Sequence, residues 1–125
     1  MNNTTRAERL QTNLRERLLK FITDLNLERK KANEAGNQYL ANQYFDKIKE
    51  TLDKLNELSE IAIGILNDSQ EVVDELKRLG KIAESLEKRA AEMKHAQDKL
   101  QKATKVISEA TKFITGLAGL VGPPS

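Results

Sequence analysis

The feature that most constrains the fold is an apolar repeat with a period of seven residues in the second half of the chain. Its members are all apolar and follow one another without a gap: Val72, Leu79, Leu86, Met93, Leu100, Ile107, Ile114 and Val121. The neighbouring heptad position carries mostly small residues such as Ala83, Ala90 and Thr104. Such a repeat is typical of helices that pack closely along their whole length. It predicts a coiled-coil-like third helix from Gln70 to about Thr115 or beyond.

Composition supports a fold made only of helices. Charged residues make up 32% of the chain and aromatic residues 4%, and glycine and proline are scarce before the C-terminus. The chain has no cysteine, which excludes disulfides and a thiolate zinc site. The net charge is only +2 and the basic residues are interleaved with acidic ones, so we do not expect nucleic acid as a partner.

The first helix is predicted from an apolar stripe with spacings of three and four residues. Thr5 followed by Glu8 resembles a capping box at its start. Gly36 suits the left-handed residue after a helix, and Asn37 suits the cap of the next one. The stripe, which Leu19 and Ile22 widen, consists of Ala7, Leu10, Leu14, Leu18, Phe21 and Leu25.

The second helix is predicted over Gln38–Leu66, with an apolar face broad enough to pack on more than one neighbour. Asn67, Asp68 and Ser69 are poor helix formers, and Asp68 with Glu71 resembles another capping box, so we expect a reversal there. The alternative is one continuous helix, because the heptad frame passes through this segment unchanged. The face comprises Ala41, Tyr44, Phe45, Ile48, Leu52, Leu55, Leu58, Ala62, Ile65 and Leu66.

These elements predict an all-α fold, an antiparallel up-down-up helical bundle with a long coiled-coil-like third helix. Residues 1–121 would form a single helical domain and residues 122–125 a tail. At 1.5 Å per residue the first two helices span ~45 Å and the third ~65–75 Å. The third helix would therefore project beyond its companions from about residue 98. A closed four-helix bundle, with a reversal between Lys94 and Asp98, is the alternative.

The projecting part carries the predicted interaction site. A second apolar stripe begins at Val106 and continues through Phe113 and Leu120, so a single neighbouring helix could not cover this segment. We therefore expect a non-enzymatic interaction or oligomerisation module that assembles through its C-terminal helix, with a second copy or another helical protein as its partner. The expected contact residues are Leu100, Val106, Ile107, Phe113, Ile114, Leu117, Leu120 and Val121.

A membrane surface is the alternative partner. Phe113–Val121 spans ~14 Å as a helix, which is under half of the ~30 Å hydrocarbon core, but it could lie at an interface. No run approaches the ~20 apolar residues of a spanning helix, and charges occur throughout the N-terminal segment. We expect a cytoplasmic protein, with membrane association and pore formation after assembly as the open alternative.

Catalytic patterns are weak. His95 is the only histidine, and with Glu92 it forms a Glu-x-x-His motif, which is half of a di-iron ligand set. Both residues fall on outer heptad positions, where a solvated histidine is the simpler interpretation. Acidic pairs such as Glu84 and Glu87 lie among lysines, and no nucleophile has a partner. We predict no enzymatic activity, no metal and no cofactor.

Overall fold

The structure, a computed structural model, describes residues 2–122, and it is an all-α helical bundle as predicted. Gly122 follows the last helix with a positive φ of 75°. The rest of the predicted tail, residues 123–125, lies outside the described residues. The helices are α1 (Asn3–Glu34), α2 (Gln38–Glu60), α3 (Gln70–Met93) and α4 (Lys99–Val121).

The four helices form two antiparallel hairpins, α1–α2 and α3–α4, packed side by side. The side-chain amide of Gln11 donates to the carbonyl oxygens of Leu58 and Ile61, each at 2.8 Å, so α2 ends beside the start of α1. α3 runs parallel to α1, since Arg17 contacts Ala83 and, further along, Asp24 contacts Lys94. α4 then packs on α2 and α3.

The first reversal confirms the turn predicted around Gly36. Gly36 has a φ of 75°, and the Asn37 N–H donates to the Ala32 carbonyl at 2.9 Å, which closes the end of α1. The Asn37 side-chain oxygen accepts the Leu40 N–H at 3.1 Å and so caps α2. The conformation of Gly36 and the hydrogen bonds of Asn37 therefore determine this turn.

Two predicted helix starts are wrong by one to three residues. α1 is capped by Asn2, whose side chain accepts the Thr5 N–H at 2.8 Å, so Thr5 lies inside the first turn and does not cap it. α3 is capped by Ser69, which accepts the Val72 N–H at 3.3 Å, and not by Asp68. In both cases a nearby side chain of the same capping class takes the position.

The connection of residues 61–69 confirms the predicted break between the second and third helices and excludes one continuous helix. α2 ends at Glu60 and not at Leu66, because Ile61 is extended and the following backbone bonds to α1. The Thr4 hydroxyl accepts the Leu66 N–H at 2.9 Å, and the Asn3 side chain donates to the Asn67 carbonyl at 3.0 Å. The connection thus crosses the start of α1 and places α3 next to it.

The prediction of a long third helix is wrong, and the four-helix alternative is the one observed. α3 ends at Met93, and the N–H groups of Lys94, His95 and Ala96 donate to carbonyls three residues earlier at 3.1–3.3 Å. The reversal needs no glycine, since no non-glycine residue in the described range has a positive φ. Asp98 precedes α4 without a side-chain cap bond.

The physical reason lies in the buried face, which changes between α3 and α4. In α3 the core residues include Leu79, Leu86 and Met93 of the seven-residue repeat. In α4 the fully buried side chains instead include Val106 and Phe113 of the second stripe. Folding back covers both stripes against α2 and α3, at ~1.5–3 kcal/mol for each large side chain. A projecting helix would lack this stabilisation because its second stripe would stay in contact with water.

Candidate interaction surface

The residues predicted for self-association lie mostly inside the bundle. Val106, Phe113 and Leu117 are fully buried, and Ile114 is 8% exposed. The other four, Leu100, Ile107, Leu120 and Val121, are partly buried. The expected projecting apolar end is therefore absent from the described fold, because the side chains that would have formed it already contact helices of the same chain.

Exposed apolar side chains are concentrated instead on the first hairpin. Within residues 2–122, no comparably exposed large apolar side chain lies on α3 or α4. Outside the first hairpin, only Ile65 in the connection is exposed to this degree, at 98%. The exposed large apolar side chains on α1 and α2 are between 40% and 76% exposed, and they are Leu19, Leu27, Tyr39, Phe45 and Leu52.

Three of these side chains lie on one side of the hairpin, which we name the α1–α2 flank: Leu19, Phe45 and Leu52. Leu19 lies two residues after Arg17, which contacts α3, and two residues turn a helix by about 200°. Phe45 and Leu52 are likewise about 140–160° around α2 from Lys47, which faces α4 across a cleft. The flank therefore faces away from the second hairpin.

The register of the hairpin brings the two leucines of the flank to the same level. Gln11 contacts Leu58 and Ile61, and Arg29 lies over the ring of Phe45, so Leu19 falls midway along α1 between these two contacts. The corresponding midpoint of α2 is close to Leu52. Leu19 and Leu52 thus face solvent side by side across the two helices.

Cations border the aromatic member of the flank. The Arg29 guanidinium carbon lies 4.6 Å from the centroid of the Phe45 ring, and the Lys49 ammonium lies 5.0 Å from it. Both distances are within the range of cation–π attraction, which contributes ~0.5–1 kcal/mol at an exposed site. The flank is therefore an apolar strip whose aromatic member has Arg29 and Lys49 beside it, and Lys49 also lies 3.4 Å from the Asp46 carboxylate.

Sequence reasoning placed Leu19, Phe45 and Leu52 in the core stripes and so missed this surface. The signal was the breadth of the α2 face, which exceeds what its two neighbours can cover. Only α1 and α4 pack substantially on α2, so the apolar residues at the edge of its face stay exposed. Which edge stays open depends on where α4 sits, and that position follows from the second reversal.

Polar groups in the core serve structure. Glu109 on α4 is 8% exposed and lies 3.9 Å from the Arg89 guanidinium of α3 and 3.5 Å from Lys112. The fully buried Thr51 donates its hydroxyl to the Lys47 carbonyl at 2.7 Å. Burial, together with the charge of Glu28, raises the pKa of Tyr44 and keeps its phenol neutral.

The Glu-x-x-His motif is not assembled into a site. Glu92 is at the end of α3, and His95 is in the turn that follows it, with both side chains exposed. No group of three or more His, Cys, Asp or Glu side chains with metal-binding geometry occurs in the described part of the chain.

Across residues 2–122, none of the helices combines the length and apolar character needed to cross a bilayer. Comparisons of the chain with protein-family models, curated protein sequences and solved structures returned no match. Function is therefore inferred from the surfaces of the molecule itself.

Proposed function

We propose that this chain is a non-enzymatic helical interaction module that associates with a second copy of itself through the α1–α2 flank. The observation that carries the proposal is the distribution of exposed large apolar side chains within residues 2–122: five lie on the first hairpin, one in the connection and none on α3 or α4. Grouped exposed apolar side chains mark contact surfaces, whereas isolated ones are ordinary features of any protein surface.

The chemistry of the flank also suits a contact surface. Interface centres are enriched in aromatic residues and arginine, and Phe45 with Arg29 supplies both on the same strip as two leucines. A two-fold contact would set this strip against its own copy, as isologous dimers do.

The expected association is weak and reversible. Leu19, Phe45 and Leu52 are 40–48% exposed. Covering this exposed part would contribute about 1 kcal/mol for each side chain, which is half the value for a whole side chain. Association costs ~4 kcal/mol or more in lost translational and rotational freedom. A two-fold contact brings together six of these side chains, three from each copy, so their contribution exceeds this cost only slightly. Polar contacts around them are needed, and a dissociation constant in the millimolar range or weaker is expected.

Sedimentation equilibrium over a wide concentration range tests the proposal. The average mass of the wild type should rise with concentration, and Leu19→Glu/Leu52→Glu should stay monomeric. Ile65→Glu is the matched control, because it also replaces an exposed aliphatic side chain by a carboxylate, but outside the flank. A wild type that stays monomeric throughout, or a double variant that associates like the wild type, contradicts the proposal.

Assembly through α4, as expected from the sequence, has less support in the folded monomer. Only the partly buried Leu100, Ile107, Leu120 and Val121 are available there without unfolding. Leu120→Glu separates the two routes in the same measurement: loss of association in this variant, with Leu19→Glu/Leu52→Glu unaffected, would assign the contact to α4.

Membrane binding is a second candidate because of one observation, the 98% exposure of Ile65 at the end of the bundle. Its insertion into a bilayer interface would contribute ~1.5–3 kcal/mol, which is too little for stable binding without a second attraction. Flotation with vesicles containing anionic lipid tests it. The wild type should float and Ile65→Glu should not, whereas equal flotation of both variants contradicts it.

A further inference from the structure

The cleft between α1 and α3 has two halves with different electrostatic character. In the half towards the ends of these helices, Arg17 bonds to Glu87 at 3.0 Å, and Lys94 lies 3.6 Å from Asp24. Arg17 also donates to the Ala83 carbonyl, so its side chain crosses from one helix to the other. Two of the three cations that line this half, Arg17 and Lys94, therefore have acidic partners on the facing helix, and Lys20 is the third.

The half towards the helix starts is a groove of about 440 Å³ with an apolar floor and a basic rim. Leu10, Val73 and Leu76 form the floor, and the charged side chains that line it are Arg6, Arg9 and Lys77, all exposed. Within residues 2–122, none of these three cations forms an ion pair, and no acidic side chain lines the groove.

The position of Arg6 at the start of α1 is unfavourable for stability. Arg6 is in the first turn of α1, which contains no acidic residue, and Arg9 follows in the second turn. The start of a helix is its positive end, where a cation is unfavourable by ~0.3–1 kcal/mol. α3 starts at the same end of the bundle and, unlike α1, has an acidic residue, Glu71, in its first turn. A local rule broken without compensation inside the fold is expected at functional positions.

We propose that this basic-rimmed groove binds an acidic amphipathic helix of a partner protein. Apolar side chains spaced three and four residues apart would contact Leu10, Val73 and Leu76, and flanking carboxylates would pair with the three cations. From Arg6 to Asn13 the groove extends ~10 Å along α1, which matches about two turns of a docked helix. The apolar floor favours such a helix over a free phosphate, which would leave the floor uncovered.

Fluorescence anisotropy with three designed peptides of about 14 residues, or ~21 Å of helix, tests the proposal. The acidic probe carries leucines at heptad spacing with glutamates beside them, the second probe is its scramble, and the third replaces glutamate by lysine. The acidic probe should bind the intact chain, more tightly at ~50 mM than at ~300 mM salt, and the other two should bind about tenfold more weakly or not at all.

The chain offers a closely matched pair of variants. Arg6 and Arg9 are the fourth and seventh residues of α1, and Lys102 and Lys105 are the fourth and seventh residues of α4, which starts at the other end of the bundle. Arg6→Glu/Arg9→Glu should weaken binding of the acidic probe about tenfold or more, while Lys102→Glu/Lys105→Glu should leave it unchanged. Because acidic residues suit a helix start, neither double variant should melt at a lower temperature than the wild type.

Several outcomes would overturn the proposal. The first is equal binding of the acidic probe and its scramble, and the second is that both double variants weaken binding of the acidic probe equally. The third is that the acidic probe does not bind while anionic vesicles bind in a manner that depends on Arg6 and Arg9. Leu19→Glu/Leu52→Glu should leave probe binding unchanged, so failure of the groove and failure of the α1–α2 flank are separate results.

Discussion

The two hairpins of this bundle differ in how their turns are formed and in how far their apolar side chains are buried. α1 and α2 are joined by a turn that is fixed by Gly36 and Asn37, and they leave apolar side chains exposed along one flank. α3 and α4 are joined by a turn without glycine or a side-chain cap, and their large apolar side chains are buried or partly buried. The first hairpin is therefore specified locally and the second by its tertiary contacts. Four experiments test this difference, from the largest expected effect to the smallest.

The first experiment compares the loss of stability on truncating a phenylalanine in each hairpin, Phe45 and Phe113. Phe113 on α4 is fully buried, so Phe113→Ala should lower the free energy of unfolding by ~3–5 kcal/mol. Phe45 on α2 is 40% exposed, and Phe45→Ala should cost about 1 kcal/mol, much of it through lost cation–π contacts. Urea unfolding measures both, and equal costs would contradict the observed burial of α4.

Glycines test how closely the second hairpin packs. A Cβ on Gly116 would lie 2.6 Å from a methyl carbon of the fully buried Leu79 and 2.7 Å from Arg78, whereas a Cβ on Gly119 would meet nothing within 4 Å. Gly116→Ala should therefore destabilise the protein by ~1–2 kcal/mol net, because overpacking exceeds the gain in helix propensity. Gly119→Ala should stabilise it by up to about 1 kcal/mol. Thermal unfolding of both variants decides, and two shifts of the same sign would mean that α3 and α4 are not in close contact at Gly116.

The two turns can be compared through the residues that precede α2 and α4. Asn37 caps α2 through its side chain, so Asn37→Ala should cost about 1 kcal/mol. Asp98 makes no cap bond, so Asp98→Ala should cost only a few tenths of a kcal/mol, through the lost attraction of its charge to the helix start. Chemical unfolding of the two variants at neutral pH measures the difference. A larger loss for Asp98→Ala would contradict local specification of the first turn.

The smallest expected effect concerns an ion pair on the second hairpin. A hydrogen bond from Arg78 lowers the pKa of Glu75, and the Arg78 Nε lies 3.0 Å from the nearer carboxylate oxygen. A lowered pKa means that the folded state favours the ionised carboxylate, so the stabilisation is present at neutral pH and is lost as the pH falls through the folded-state pKa. Glu75→Gln should cost ~0.3–0.5 kcal/mol at pH 7 and nothing at low pH. A cost that does not change with pH would contradict this assignment.

The sequence predicts the all-helical class and most of the first hairpin, because those signals are local. The apolar stripe of α1 and the residues of its turn act within a few positions of one another. The buried stripe therefore agrees at Leu14, Leu18, Phe21 and Leu25. The predicted face of α2 agrees only in part: Tyr44, Ile48 and Leu58 are buried, but Phe45 and Leu52 are exposed, and its last three residues lie in the connection after Glu60. Which edge of this face stays exposed depends on the position of α4.

The second hairpin could not be read in the same way, since its repeat is compatible with one helix or with two. The seven-residue spacing of Met93 and Leu100 continues through the reversal and conceals it. The available signal was the new apolar stripe that begins at Val106, which we interpreted as a surface for a partner. In the structure this stripe is the core face of a fourth helix. Choosing between these interpretations needs the free energy gained on α2 and α3, and that term is not local in sequence.

The path of the connection at residues 61–69 has a consequence for engineering. Because it crosses the start of α1, α3 begins where α1 begins, and α4 returns to the same end of the bundle. Residues 2 and 122 therefore lie at the same end of the bundle, while the Gly36 turn lies at the opposite end. A circular permutant that joins these two positions with a short linker and opens the chain at Gly36 should keep all four helices in place. Fusion partners attached at either position would lie at the end of the bundle where α1 and α3 form the basic-rimmed groove, which makes this end a convenient place to attach a sensor for its occupant.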